Sequence, residues 1–143
     1  MKIENGEIIP GVGIGEFKIG MSKEELLEIL GDDYTESYLS GVDWKLDIEN
    51  AAFWIHKHYG VRQIGVWGDF KGSYKGSVKI GTTLSEIQEM FGAYEEAGGI
   101  IDAIYEIVGV DGMCFELDDL DDWDDWDELI APINVIFVYR IEE

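Results

Sequence analysis

His56-Lys57-His58 sets two imidazoles one residue apart. On a β-strand that spacing places both rings on one face, where a metal ion could use them. Asp118 falls at the position matching His56 in a second copy of the surrounding pattern and would be the third ligand. Two histidines alone are more often ordinary polar partners, and no metal is expected. The acidic run from Asp119 to Glu128 would attract Ca²⁺ loosely, yet it lacks the ligand spacing and turn glycine of an EF-hand loop. Gly11-x-Gly13-x-Gly15 follows Pro10 and leads into a strand-like segment, not a helix, so it reads as a flexible loop. Cys114 has no nucleophile signature around it, and alternation predicts a partly exposed strand thiol. P-loop, nucleophile-elbow and zinc patterns are absent from the sequence. Neither a catalytic residue nor a cofactor is expected, and the chain reads as a binding protein.

Charge narrows the partner. Ten basic residues stand against 31 acidic ones, for a formal net charge of −21 over 143 residues. Residues 1–79 carry a net −4, and residues 80–143 carry −17 with Arg140 as their one basic side chain. Such a field repels nucleic-acid backbones and anionic lipid and draws in cationic surfaces. The start, Met1-Lys2-Ile3-Glu4-Asn5-Gly6-Glu7, has no apolar core of a targeting segment, and the single cysteine cannot form an internal disulfide. A reduced cytoplasm is the expected compartment.

The elements that would position a binding surface follow from an internal repeat. Phe17-Lys18-Ile19-Gly20-Met21-Ser22-Lys23-Glu24-Glu25-Leu26 recurs, 61 residues on, as Val78-Lys79-Ile80-Gly81-Thr82-Thr83-Leu84-Ser85-Glu86-Ile87. Ser22 with Glu25, and Thr83 with Glu86, form capping boxes that satisfy the orphan amides of a helix start. Leu26, Ile29 and Leu30 make an apolar stripe, as do Ile87, Met90 and Phe91; Gly31 and Gly92 supply the left-handed stop. Three strand-like segments follow each helix: 44–49, 51–57 and 61–67, then 104–108, 113–118 and 134–140. The expected fold is α+β: two tandem α-β-β-β repeats (about 14–70 and 75–140) in one domain over 1–143. They would share one antiparallel sheet with both helices on one face.

Period-two geometry then divides the sheet. Phe53, Ile55, Ile64, Val66, Phe115, Leu117, Ile136 and Val138 should point under the helices. The opposite parity holds Trp54, His56, His58 and Trp67 from the first copy, and Cys114, Glu116, Asp118, Val135, Phe137 and Tyr139 from the second. That face is more aromatic than a solvated one needs to be. Residues 8–14 or a homodimer could cover it; otherwise Trp54, Trp67, Phe137 and Tyr139 form a binding surface. The second copy also gains about ten residues between its last two strands. Asp119, Asp121, Asp122, Asp124, Asp125, Asp127 and Glu128 there surround Trp123 and Trp126, suiting a dock onto a basic surface.

Two copies of Ile-Gly-x-[Ser/Thr]-x-x-Glu-[Leu/Ile], each followed by aromatic-rich strands, and the late run Gly112-x-Cys114-Phe115-Glu116-Leu117-Asp118-Asp119 carry a resemblance. They resemble small immunity proteins of bacterial polymorphic-toxin and contact-dependent growth inhibition systems. The repeat plan is also loosely similar to the β-lactamase-inhibitor protein and to small outer-membrane assembly lipoproteins. The chain lacks the paired cysteines of the inhibitor and the lipobox cysteine of the lipoproteins. The immunity resemblance implies a cytoplasmic protein that covers the active site of one cognate toxin, commonly a nuclease with a basic groove. A small-molecule or carbohydrate-binding module using the aromatic face is the alternative.

Overall fold

The computed structural model describes residues 2–96, 104–118 and 128–141. Its N-terminal part forms a three-stranded antiparallel sheet of very short strands, β1 (Ile8–Ile9), β2 (Gly13–Ile14) and β3 (Phe17–Lys18). Helix α1 (Lys23–Leu30) leads into β4 (Thr35–Tyr38), β5 (Asp43–Ile48), β6 (Ala51–His56) and β7 (Gly60–Trp67). Helix α2 (Leu84–Phe91) leads into β8 (Tyr94–Glu96), β9 (Ile104–Ile107), β10 (Met113–Leu117) and β11 (Ile133–Tyr139). Every ladder of the large sheet is antiparallel, and its order is β4-β5-β6-β7-β11-β10-β9-β8. The fold class is therefore α+β. Four strands follow each helix, where the residue pattern predicts three. The additional ones, β4 and β8, lie at the two edges.

Both helices start as their hydroxyl–carboxylate spacing dictates. Ser22 Oγ accepts from the Glu25 amide at 3.1 Å, and Thr83 Oγ1 accepts from the Glu86 amide at 3.2 Å. Each glutamate reaches back to the amide of its cap residue, closing both capping boxes. Gly31 (φ 64°, ψ −129°) and Gly92 (φ 92°, ψ −144°) end the helices in a region that only glycine enters without strain. The second apolar stripe differs from expectation. Leu84 and Ile87 are its buried residues, whereas Met90 is 44% exposed. Phe91 is half-buried and leans on the Tyr74 ring, with centroids 5.6 Å apart.

One buried cluster gathers Leu26 and Leu30 of α1, Leu84 and Ile87 of α2, and the inward parity of the sheet. Phe53, Ile64, Val66, Phe115, Ile136 and Val138 are wholly buried there, with Ile55 and Leu117 nearly so. Ile8, Ile14 and Phe17 belong to the same cluster, and the Phe17 ring lies 5.0 Å from that of Phe53. The N-terminal segment thus packs on the core side of the sheet. Residues 8–14 do not cover the aromatic face. Buried Asn50 anchors this arrangement: its Oδ1 accepts from the Ile3 amide at 2.8 Å, and its Nδ2 donates to the Ile3 carbonyl at 2.7 Å.

Candidate functional site

The face turned away from the helices is laid out by strand register. Trp54 on β6 pairs with Gln63 on β7, which pairs with Tyr139 on β11. The next row runs Ala52, Gly65, Phe137 and Cys114; a third runs Trp67, Val135 and Glu116. The Trp54 and Phe137 rings meet edge to face, with centroids 6.0 Å apart and planes at 61°. Gly65 lies between them in the ladder, and a Cβ there would fall 3.0 Å from Phe137 Cε1 and 3.4 Å from Trp54 Cζ3. The missing side chain is what lets the two rings close over the strand. Lys45 places its Nζ 5.1 Å from the centroid of the Trp54 ring, a cation–π contact on the side facing away from Phe137's strand.

The four expected aromatics do not form one platform. Trp67 lies four residues along β7 from Gln63, roughly 13 Å away at the rise of an extended strand. Among the described residues neither Trp67 nor Tyr139 makes a ring contact with the central pair. Tyr139 instead donates its hydroxyl to Glu106 Oε1. Burial and that bond push the Tyr139 hydroxyl up to about 12, so the phenol keeps its proton. Glu116 is half-buried on the third row, and the Asp118 amide, just beyond β10, donates to the Pro132 carbonyl at 2.8 Å.

Two expectations need correction. Cys114 is buried, at 8% exposure, where alternation predicts a partly exposed thiol. Its burial, with Glu106 and Glu116 nearby, pushes the thiol up to about 12 and keeps it protonated. Strand β6 stops at His56, so His58 belongs to the following turn and the two imidazoles do not share a strand face. His56 Nδ1 accepts from the amides of His58 at 3.0 Å and Tyr59 at 3.4 Å, which occupies that nitrogen as a turn cap. No group of three metal-binding side chains occurs among the described residues. The insertion with Asp119, Asp121, Asp122, Trp123, Asp124, Asp125, Trp126 and Asp127 lies outside the described residues.

Sequence reasoning missed Glu106 and Gly65. Glu106 lies on the expected strand β9, but its bond to Tyr139 joins two strands that are not ladder neighbours, and Gly65 carries no side chain to notice.

No protein family and no curated protein sequence matches the chain. Solved structures do. The uncharacterized protein yfeY from Escherichia coli is similar in fold at a TM-score of 0.63 and 15% identity, over 97% of this chain and 100% of that one. A cysteine-rich secretory protein (SAV1118) from Staphylococcus aureus subsp. aureus Mu50 matches at a TM-score of 0.52 and 10% identity. That match spans 100% of this chain and 56% of the other. At these identities the likeness concerns the fold alone. No helix among the described residues is long and apolar enough to cross a membrane.

Proposed function

We propose that this chain is an immunity protein, which binds one cognate toxin domain with a basic surface and neutralises it by covering its active site. A nuclease, with a cationic substrate groove, is the toxin class that fits. The carrying observation is the Trp54–Phe137 pair on a sheet face that none of the described helices or N-terminal strands covers, with Glu106 and Glu116 close by. Aromatic anchors supply affinity once desolvated. The surrounding field of −21 steers a cationic partner and opposes nucleic acid or anionic membrane. The reading places the protein in the bacterial cytoplasm, without catalysis or a cofactor of its own. It also takes the chain as a tandem duplication, supported by the recurring capping-box motif and by the order helix then four strands on both sides of the β7–β11 ladder.

The alternative, a stacking platform for a sugar or other small molecule, is less well supported. Rings at 61° to each other offer no common flat surface for a pyranose. The test is titration of a toxin domain encoded by a neighbouring gene with the purified protein. Stoichiometric loss of toxin activity, weakened by Trp54→Ala and Phe137→Ala, is the expected result. Undiminished toxin activity at excess protein would end the proposal.

A further inference from the structure

The chain contains two arginines, Arg62 and Arg140. Both lie at one end of the open face, because β7 and β11 pair there: Gln63 faces Tyr139, and the Arg140 amide donates to the Arg62 carbonyl at 2.9 Å. Together with His56, Tyr59, Gln63 and Tyr139 they line a cleft of about 640 Å³. That volume is within the usual range for small-ligand sites.

The register makes Arg62 special. Trp54 pairs with Gln63 and Ile55 with Val61, so Arg62 is the unmatched residue of a β-bulge. Bulges re-aim side chains and recur beside binding sites. Its guanidinium is oriented by one bond, Nε to Asp43 Oδ1 at 3.1 Å, with no bond to the terminal nitrogens among the described residues. Arg140 is held from the other side: its guanidinium carbon lies 4.2 Å over the centroid of the Tyr59 ring. No carboxylate among the described residues pairs with it. Tyr59 is fixed in turn by the hydrogen bond its backbone amide donates to His56 Nδ1 and by its ring packing against that imidazole, centroids 4.6 Å apart. With Nδ1 accepting two amides, Nε2 is the nitrogen of His56 left to donate. Two arginines and a histidine thus line one concavity in a protein that is otherwise strongly acidic. A guanidinium fork matches the geometry of a carboxylate or phosphate.

We infer that this cleft binds a small ligand carrying a carboxylate or phosphate group, held between Arg62 and Arg140 with His56 as a further donor. The site goes beyond toxin neutralisation and does not depend on it. Because the chain has two arginines, the arginine Nε–Hε region of a ¹H–¹⁵N spectrum reports on this cleft alone. The experiment titrates the labelled full-length chain with inorganic phosphate and, separately, with citrate, in about 150 mM salt. Saturable movement of both resonances with either probe is expected, and the tighter probe assigns the ligand class. Arg62→Gln and Arg140→Gln should each weaken binding at least about tenfold, the loss of a charged hydrogen bond. Lys71→Gln, an exposed cation outside the cleft, should leave it unchanged. Backbone amide spectra check that each variant stays folded. Resonances that do not move, move without saturating, or respond equally when the other arginine is replaced would overturn the assignment. No toxin is present, so failure of toxin neutralisation leaves this result unaffected.

Discussion

Trp54 and Phe137 touch edge to face across Gly65, from strands far apart in the sequence. Their contact exists because β11 inserts beside β7 at the middle of the eight-stranded sheet. Gly65→Val would push a branched side chain into the space both rings use. The expected outcome is a loss of about 1–3 kcal/mol in urea unfolding, the usual cost of overpacking, with a changed tryptophan emission. An unaltered midpoint and spectrum would show that the rings are free to move aside.

Partner binding should divide by residue type. Trp54→Ala and Phe137→Ala should speed dissociation from a toxin, since packed anchors hold a formed complex. Replacing Asp121, Asp122, Asp124 and Asp125 by Asn should instead slow association, and rising salt should do the same, because exposed charges are screened beyond about 8 Å at physiological ionic strength. Trp123→Ala and Trp126→Ala should act like the anchor changes. Stopped-flow kinetics at two salt concentrations separate these classes; salt-insensitive association would exclude steering.

Alkaline stability follows from two groups on the open face. The Cys114 thiol and the Tyr139 hydroxyl are both held at about 12 in the fold, against ordinary values of 9.0 and 10.0. A folded-state value above the unfolded one gives stability that is complete below the unfolded value and lost as pH rises toward the folded one. Stability should therefore fall between about pH 9 and about 12, and Cys114→Ala should flatten the lower part of that decline. Thermal melts across this range provide the measurement.

The same burial should make Cys114 inert. A thiol-specific disulfide reagent at neutral pH should leave the native protein unlabelled and react with one thiol per chain after unfolding in denaturant. Rapid labelling of the native protein would contradict the burial.

Local and core contributions should separate clearly. Ser22→Ala and Thr83→Ala should each cost about 1 kcal/mol, the typical value of a helix cap. Phe115→Ala, at a wholly buried ring, should cost about 3–5 kcal/mol.

The two kinds of site also explain what the sequence could reveal. The capping boxes depend on residues three apart, so Ser22 with Glu25 and Thr83 with Glu86 are legible without a structure. Alternation likewise assigns Phe53, Ile64, Phe115 and Ile136 to the core. Strand β4, Thr35-Glu36-Ser37-Tyr38, is exposed at every position and has no alternating signal. Strand β8, Tyr94-Glu95-Glu96, is equally polar and short. The bulge at Arg62 depends on pairing between two strands, and the convergence of Arg62 with Arg140 on a ladder formed from distant segments. Such relationships leave no trace in local spacing. Cys114 departs from its expected exposure for a similar reason: parity assigns a side chain to a face but does not say how deeply its neighbours bury it.

The central position of β11 has a consequence for biosynthesis. A ribosome makes β4 to β7 first, and β7 then has a partner on one side alone. The strand that completes it, Ile133–Tyr139, emerges after every other strand of the sheet. Until then the growing chain exposes an unsatisfied edge bearing Ile64 and Val66, with its hydrogen-bonding groups open to any extended peptide. Chaperone protection would matter most in that interval, and a chain cut short before residue 133 would keep the edge permanently.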